Sequence, residues 1–182
     1  MKKNLLILLV LLMSSAQAHA QESGDPGLLS SAIEGFKKTL FQPTSYDLYI
    51  PFWTWHNRLA YSREKCKEYN EHPIGGGIGT TRIIDANTEH SMVFMVFDDS
   101  NYYPQGVGAY MWMKKATFGP GFYVAGGAAI TLQMRHEYNY IPLPLPLPVV
   151  EVGFRRLSIQ GAYVPGWKGN GNVLFMWGKF KF

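Results

Sequence analysis

The residues best equipped for chemistry are His56 and the adjacent pair Asp99 and Ser100. An imidazole takes a proton from a hydroxyl, a carboxylate orients the ring, and backbone donors hold an oxyanion, which together are the parts of an acyl-transfer site. A blander reading stands beside it, because an Asp-Ser pair often only starts a turn and a histidine at a rim is commonly idle. The other histidines beyond the leader are His72, His90 and His136, and no pair has metal-ligand spacing. The single cysteine, Cys66, has no second thiol to pair with and reads as a loop residue. Neither a metal nor a cofactor is expected.

These residues act together only if the surrounding elements bring them to one place. From Tyr46 onward the chain runs in aromatic and β-branched segments of about ten residues, broken by Gly, Asn, Asp and Pro, as tilted transmembrane strands would be. Eight are expected, at 47–61, 75–85, 90–98, 106–117, 121–136, 141–153, 157–164 and 173–182. An even count with alternating short and long connections predicts an all-β fold, an eight-stranded antiparallel outer-membrane β-barrel over residues 46–182. His56 then ends one upward strand while Asp99 and Ser100 follow another, so all three reach the same rim. Before the barrel, Leu29, Ile33, Phe36 and Leu40 recur at helical spacing, which predicts a short amphipathic helix over 26–41 within an N-terminal region, 21–45.

Composition agrees. Of 182 residues 47% are apolar and 15% aromatic, yet mean hydropathy is −0.09 and no segment after the leader approaches the roughly 20 unbroken apolar residues of a spanning helix. Charged residues make up 16%, below the ~25% usual for soluble domains. Lysines and arginines number 17 against 13 acids and are interspersed with them, which argues against a nucleic-acid partner. Lys2 and Lys3, the apolar run from Leu5 to Met13, and Ala18, His19 and Ala20 read as a signal peptide over 1–20, which predicts export.

Strand period sorts the lumen. Counting back from the chain end puts Phe182, Phe180, Gly178, Met176 and Leu174 on a lipid face, and Lys181, Lys179, Trp177, Phe175 and Val173 inside. The seventh strand turns Ser158, Gln160, Ala162 and Val164 inward, so the lumen is expected to be polar at one end and apolar at the other. The fifth strand is equivocal, with Ala125, Gly127 and Ala129 below Thr131, Gln133 and Arg135. An apolar upper lumen suits one hydrocarbon chain, although filling of a narrow barrel by side chains is the competing reading. Proline removes a backbone donor, so Pro51 in the first strand and Pro142, Pro144, Pro146 and Pro148 in the sixth mark seams in the wall. Pro73 and Pro165 fit loop ends equally well.

The blocks YDLYIPFWTWHNRLAY (46–61), KEYNEHPIGGGIG (67–79), VFDDS (96–100), NYIPLP (139–144) and YVPG with GNGNV (163–173) resemble the lipid A palmitoyltransferase family, PagP, in order and over nearly all of the chain after the leader. The resemblance implies a monomeric outer-membrane enzyme that moves an acyl chain from a phospholipid donor to a lipid A acceptor. It assigns His56, Asp99 and Ser100 to the active site, with Asp99 as electrostatic partner of the Ser100 and His56 pair. It also matches Pro51 and Pro73, and Pro148 and Pro165, to two lateral openings for lipid. The loop from Asn101 to Pro104 departs from the family pattern. So does Met111, which stands before Trp112 where palmitate-selecting members carry Gly at the pocket floor, and which therefore implies a donor chain shorter than palmitate. Two competing functions are a non-enzymatic barrel that binds or passes hydrophobic molecules and a lipid A deacylase with a similar rim serine and histidine.

Overall fold

The computed structural model describes residues 27–166 and 171–182; the expected leader and Pro26 lie outside them. A helix, α1 (Leu28–Phe41), precedes β1 (Ser45–His56), and a second short helix, α2 (Arg63–Glu68), follows it. The remaining strands are β2 (Gly75–Asp85), β3 (Thr88–Asp98), β4 (Pro104–Phe118), β5 (Phe122–Met134), β6 (Leu143–Phe154), β7 (Leu157–Val164) and β8 (Val173–Lys181). Each strand pairs antiparallel with its neighbours in chain order, and β8 returns to β1, so the sheet closes as a barrel. Closure pairs backbone groups that an open edge would expose, which is how a β-chain enters lipid. Tight turns join β2 to β3, β4 to β5 and β6 to β7 at one end, the turn rim; longer segments make the opposite loop rim.

The period of two sorts side chains as expected. Trp177 and Lys179 on β8 are buried, as are Ser158, Gln160 and Ala162 on β7, whereas Ile78, Phe94, Ile130, Val150 and Ile159 lie exposed on the outer wall. That outward set is a belt for hydrocarbon. Helix α1 packs outside the barrel near the turn rim, where Phe36 meets Tyr110 at 5.7 Å between ring centroids and Thr80 donates its hydroxyl hydrogen to the Thr39 carbonyl at 2.9 Å. Ile33 and Phe41 stay exposed on α1, the disposition of a helix lying in a membrane interface.

Two expectations need correction. The first strand ends at His56 rather than Tyr61, because Asn57 turns the chain: its side chain accepts from the Leu59 amide at 2.9 Å, and its carbonyl accepts from Ala60 and Tyr61. Cys66 is no loop residue; it is the buried position of α2.

Among the described residues the wall has two interruptions. Pairing of β1 with β2 runs from Ser45 and Thr81 to Tyr49 and Gly77 and stops, and the backbones meet again where the Thr54 amide donates to the Glu71 carbonyl at 2.9 Å. Pro51 and Pro73 flank that window. Pairing of β6 with β7 stops at Val149 and Ala162, leaving Pro148 and Pro165 beyond it. Alternate residues of a strand point their backbone groups to opposite neighbours. Pro144, Pro146 and Pro148 therefore withdraw donors from one edge only, and because β5 stays paired along this stretch, that edge faces β7.

Candidate active site

Strand β1 carries His56 to the loop rim, and β3 delivers Ser100 just past its end at Asp98. There the His56 Nε2 lies 2.9 Å from Ser100 Oγ, a hydrogen bond that the hydroxyl donates when the ring proton sits on Nδ1. The ring is buried, stacked on Tyr69 at 4.5 Å and edge-on to Tyr61 at 5.5 Å. His56 Nδ1 faces Glu71 Oε1 at 3.2 Å, and the same oxygen accepts from the His56 backbone amide at 3.3 Å. Arg58 donates to the other Glu71 oxygen at 2.6 Å. Burial alone would raise the Glu71 carboxyl, but the hydrogen bonds from Arg58 and His56 outweigh it and hold the group below its usual value.

The three residues expected at the rim are thus neighbours, but only His56 and Ser100 touch through their side chains. Asp99 is buried and turned the other way. One of its oxygens accepts from the Asn101 amide at 2.8 Å and the Tyr103 amide at 3.0 Å, and the other accepts from Arg135 at 3.3 Å. Its backbone amide donates to the Tyr103 carbonyl at 2.8 Å. Asp99 therefore fixes the turn that holds Ser100. Glu71, the carboxylate on the imidazole, lies in an aperiodic loop where no spacing rule singles it out; Arg58, two residues past His56, was the available hint of a carboxylate nearby.

Below the pair opens a cavity of about 960 Å³, at the upper end of the ~300–1,000 Å³ typical of small-molecule sites. His56, Ser100 and Asp99 line its mouth, and Phe97, Val107, Leu147 and Phe175 line its shaft. Met111 and Trp177 lie in its deepest layer, and Met111 is 1% exposed. Pro146 and Pro165 also line the cavity, so it reaches the β6 and β7 seam. Trp177 closes the bottom by donating from Nε1 to Gln160 Oε1 at 2.7 Å.

Comparison with known proteins identifies relatives of the chain as a whole. Residues 37–179 match the model of the family described as "Antimicrobial peptide resistance and lipid A acylation protein PagP". A relative from Proteus mirabilis (strain HI4320) named "Lipid A acyltransferase PagP" is 45% identical over 148 residues, covering 78% of this chain and 70% of its own. One of the same name from Edwardsiella tarda (strain FL6-60) is 38% identical over 164 residues, with 88% of each chain covered. Another, from Salmonella typhimurium, is 36% identical over 185 residues, covering all of this chain and 96% of its own. Similarity that spans helix, strands and rim alike, rather than one motif, makes this chain a member of the PagP family.

Proposed function

We propose that this chain is an outer-membrane acyltransferase that moves a fatty acyl chain from a phospholipid to a hydroxyl of lipid A, acting as a monomer. The observation that carries this reading is that one cavity is lined at its mouth by Ser100 and His56 and along its depth by apolar side chains. A fatty tail seated there presents its ester at the hydroxyl and imidazole. His56 accepts the proton of the attacking hydroxyl and returns it to the departing glycerol oxygen, so one ester bond breaks and one forms with no other reactant. Asp99 enters through the turn it holds and the negative charge it adds beside Ser100. Openings at Pro51 with Pro73 and at Pro148 with Pro165 give lipids a sideways path that a sealed wall would deny. The belt of outward apolar residues supports residence in the outer membrane.

Met111 sets the depth. Its side chain occupies the cavity's deepest layer beside Trp177, and overfilling a packed site is unfavourable, so the preferred donor chain is shorter than palmitate, in the laurate to myristate range. Mass spectrometry of lipid A from cells carrying wild type, Ser100→Ala or His56→Asn is the test. Wild type should add one acyl chain and either variant should add none while the barrel still assembles. Lipid A unchanged by wild type would favour a binding barrel, and a deacylated product would favour a deacylase.

A further inference from the structure

We propose that Glu71 is the positioning residue of the Ser100 and His56 pair, an inference that rests on the acyltransferase reading above. For Nε2 to accept from Ser100, the ring must keep its single proton on Nδ1. Two tautomers compete in a neutral imidazole, and the wrong one would aim an N–H at Ser100 and leave it without a base. Glu71 Oε1 stands 3.2 Å from Nδ1 and accepts only when that nitrogen carries the proton. Because this oxygen also receives the His56 backbone amide at 3.3 Å, one atom fixes ring and backbone together. Arg58 anchors the carboxylate's second oxygen, and Tyr69 stacks on the ring face.

Asp99 has no such reach, since its oxygens serve Asn101, Tyr103 and Arg135. The groups facing His56 are Glu71, Arg58, Tyr61 and Tyr69 from the segment between β1 and β2, and Ser100 from that between β3 and β4. Among the described residues Glu71 is the acid in contact with the ring. In the reaction the Ser100 or acceptor hydroxyl proton moves to Nε2, the ring becomes a cation, and the ionised Glu71 stabilises it. The proton then leaves from Nε2 to the departing oxygen, and Glu71 is never protonated.

The test measures transfer by the purified, detergent-folded chain between a short-chain phosphatidylcholine and lipid A, across pH. Glu71→Gln should lower kcat by up to roughly 10,000-fold with little change in KM, the size of effect that the amide has in place of the orienting carboxylate of a serine–histidine pair. Its acid limb should also move to lower pH, because the ring loses the charge that favoured its protonated form. Glu71→Asp, which keeps the charge but shortens its reach, should lose rate while keeping the wild-type limb; a merely structural role moves no limb in either variant. A shift in gel mobility on heating equal to that of wild type reports an intact barrel. Should Glu71→Gln match wild type at every pH while Ser100→Ala and His56→Asn are inactive, the assignment of Glu71 is overturned and the acyltransferase reading stands. Full activity in Ser100→Ala and His56→Asn would overturn that reading instead.

Discussion

The two halves of the lumen are built from the same eight strands and are chemically opposite. Toward the loop rim, Phe97, Val107, Leu147 and Phe175 surround open space. Toward the turn rim, side chains fill the barrel with charge. Lys179 lies 3.6 Å from Asp47 and 3.7 Å from Glu89, Lys181 lies 2.9 Å from Glu89, and Lys179 donates to Thr81 and Ser91. Tyr123 and Gln160 donate to Glu151 at 2.9 and 2.8 Å, and Gln160 accepts from Trp177 at the boundary. A buried charge is tolerated only when it is paired or well hydrogen-bonded: Lys179, Asp47 and Glu89 are paired, and Glu151 is held by hydrogen bonds from neutral donors. The polar half is thus a cross-linked plug of ion pairs and hydrogen bonds that ties the strands together, which leaves the apolar half free to stay hollow.

Removing a charge from the plug should have the largest effect. Lys179→Met leaves Asp47 buried without its cation, and breaking such a pair from one side costs about 3–5 kcal/mol. Denaturant unfolding in detergent should show that loss, while the chain-length preference of the surviving folded enzyme stays as in wild type. A change in preference would break the division of labour between the halves.

The division was legible in the sequence because period two alone separates Trp177 and Lys179 from Met176 and Gly178, and Gln160 from Ile159. Meeting of His56 and Ser100 followed from topology, since both are at upward strand ends. What escaped was local. Helix α2 has six residues, too few for a helical period to register, and the turn at Asn57 rests on a side-chain hydrogen bond that no hydrophobic pattern reports. Adjacency to Ser100 makes Asp99 resemble the partner of His56, but its carboxylate is taken up by the amides of the turn that holds Ser100 and by Arg135. Glu71 reaches the ring from a loop whose path depends on contacts such as the Asn70 amide donating to the Ser100 carbonyl at 2.9 Å.

The hollow half yields a smaller effect of a different kind. Met111→Gly removes the side chain from the cavity's deepest layer and should move the preferred donor toward palmitate. A methylene that fits or fails to fit an apolar pocket changes a rate by roughly 10- to 200-fold, so competition between mixed-chain phospholipids reads the shift directly. An unaltered profile would mean that the chain never reaches Trp177.

The smallest effect belongs to the rim, where Arg58 and Glu71 pair as charges do in the plug but with Arg58 43% exposed. Water screens such a pair, and its contribution to stability is about 0–1 kcal/mol. Its pH dependence is nevertheless distinctive. Because the folded protein holds Glu71 below the ~4.3 of an unfolded chain, the stabilisation is complete above that value. It is lost as pH falls through the lower folded one. The stability difference between wild type and Glu71→Gln should therefore be flat near neutrality and shrink below about pH 4. A difference independent of pH would assign the rim's contribution to packing on Tyr69 and His56 instead of charge, and the rim would then differ from the plug in kind as well as in degree.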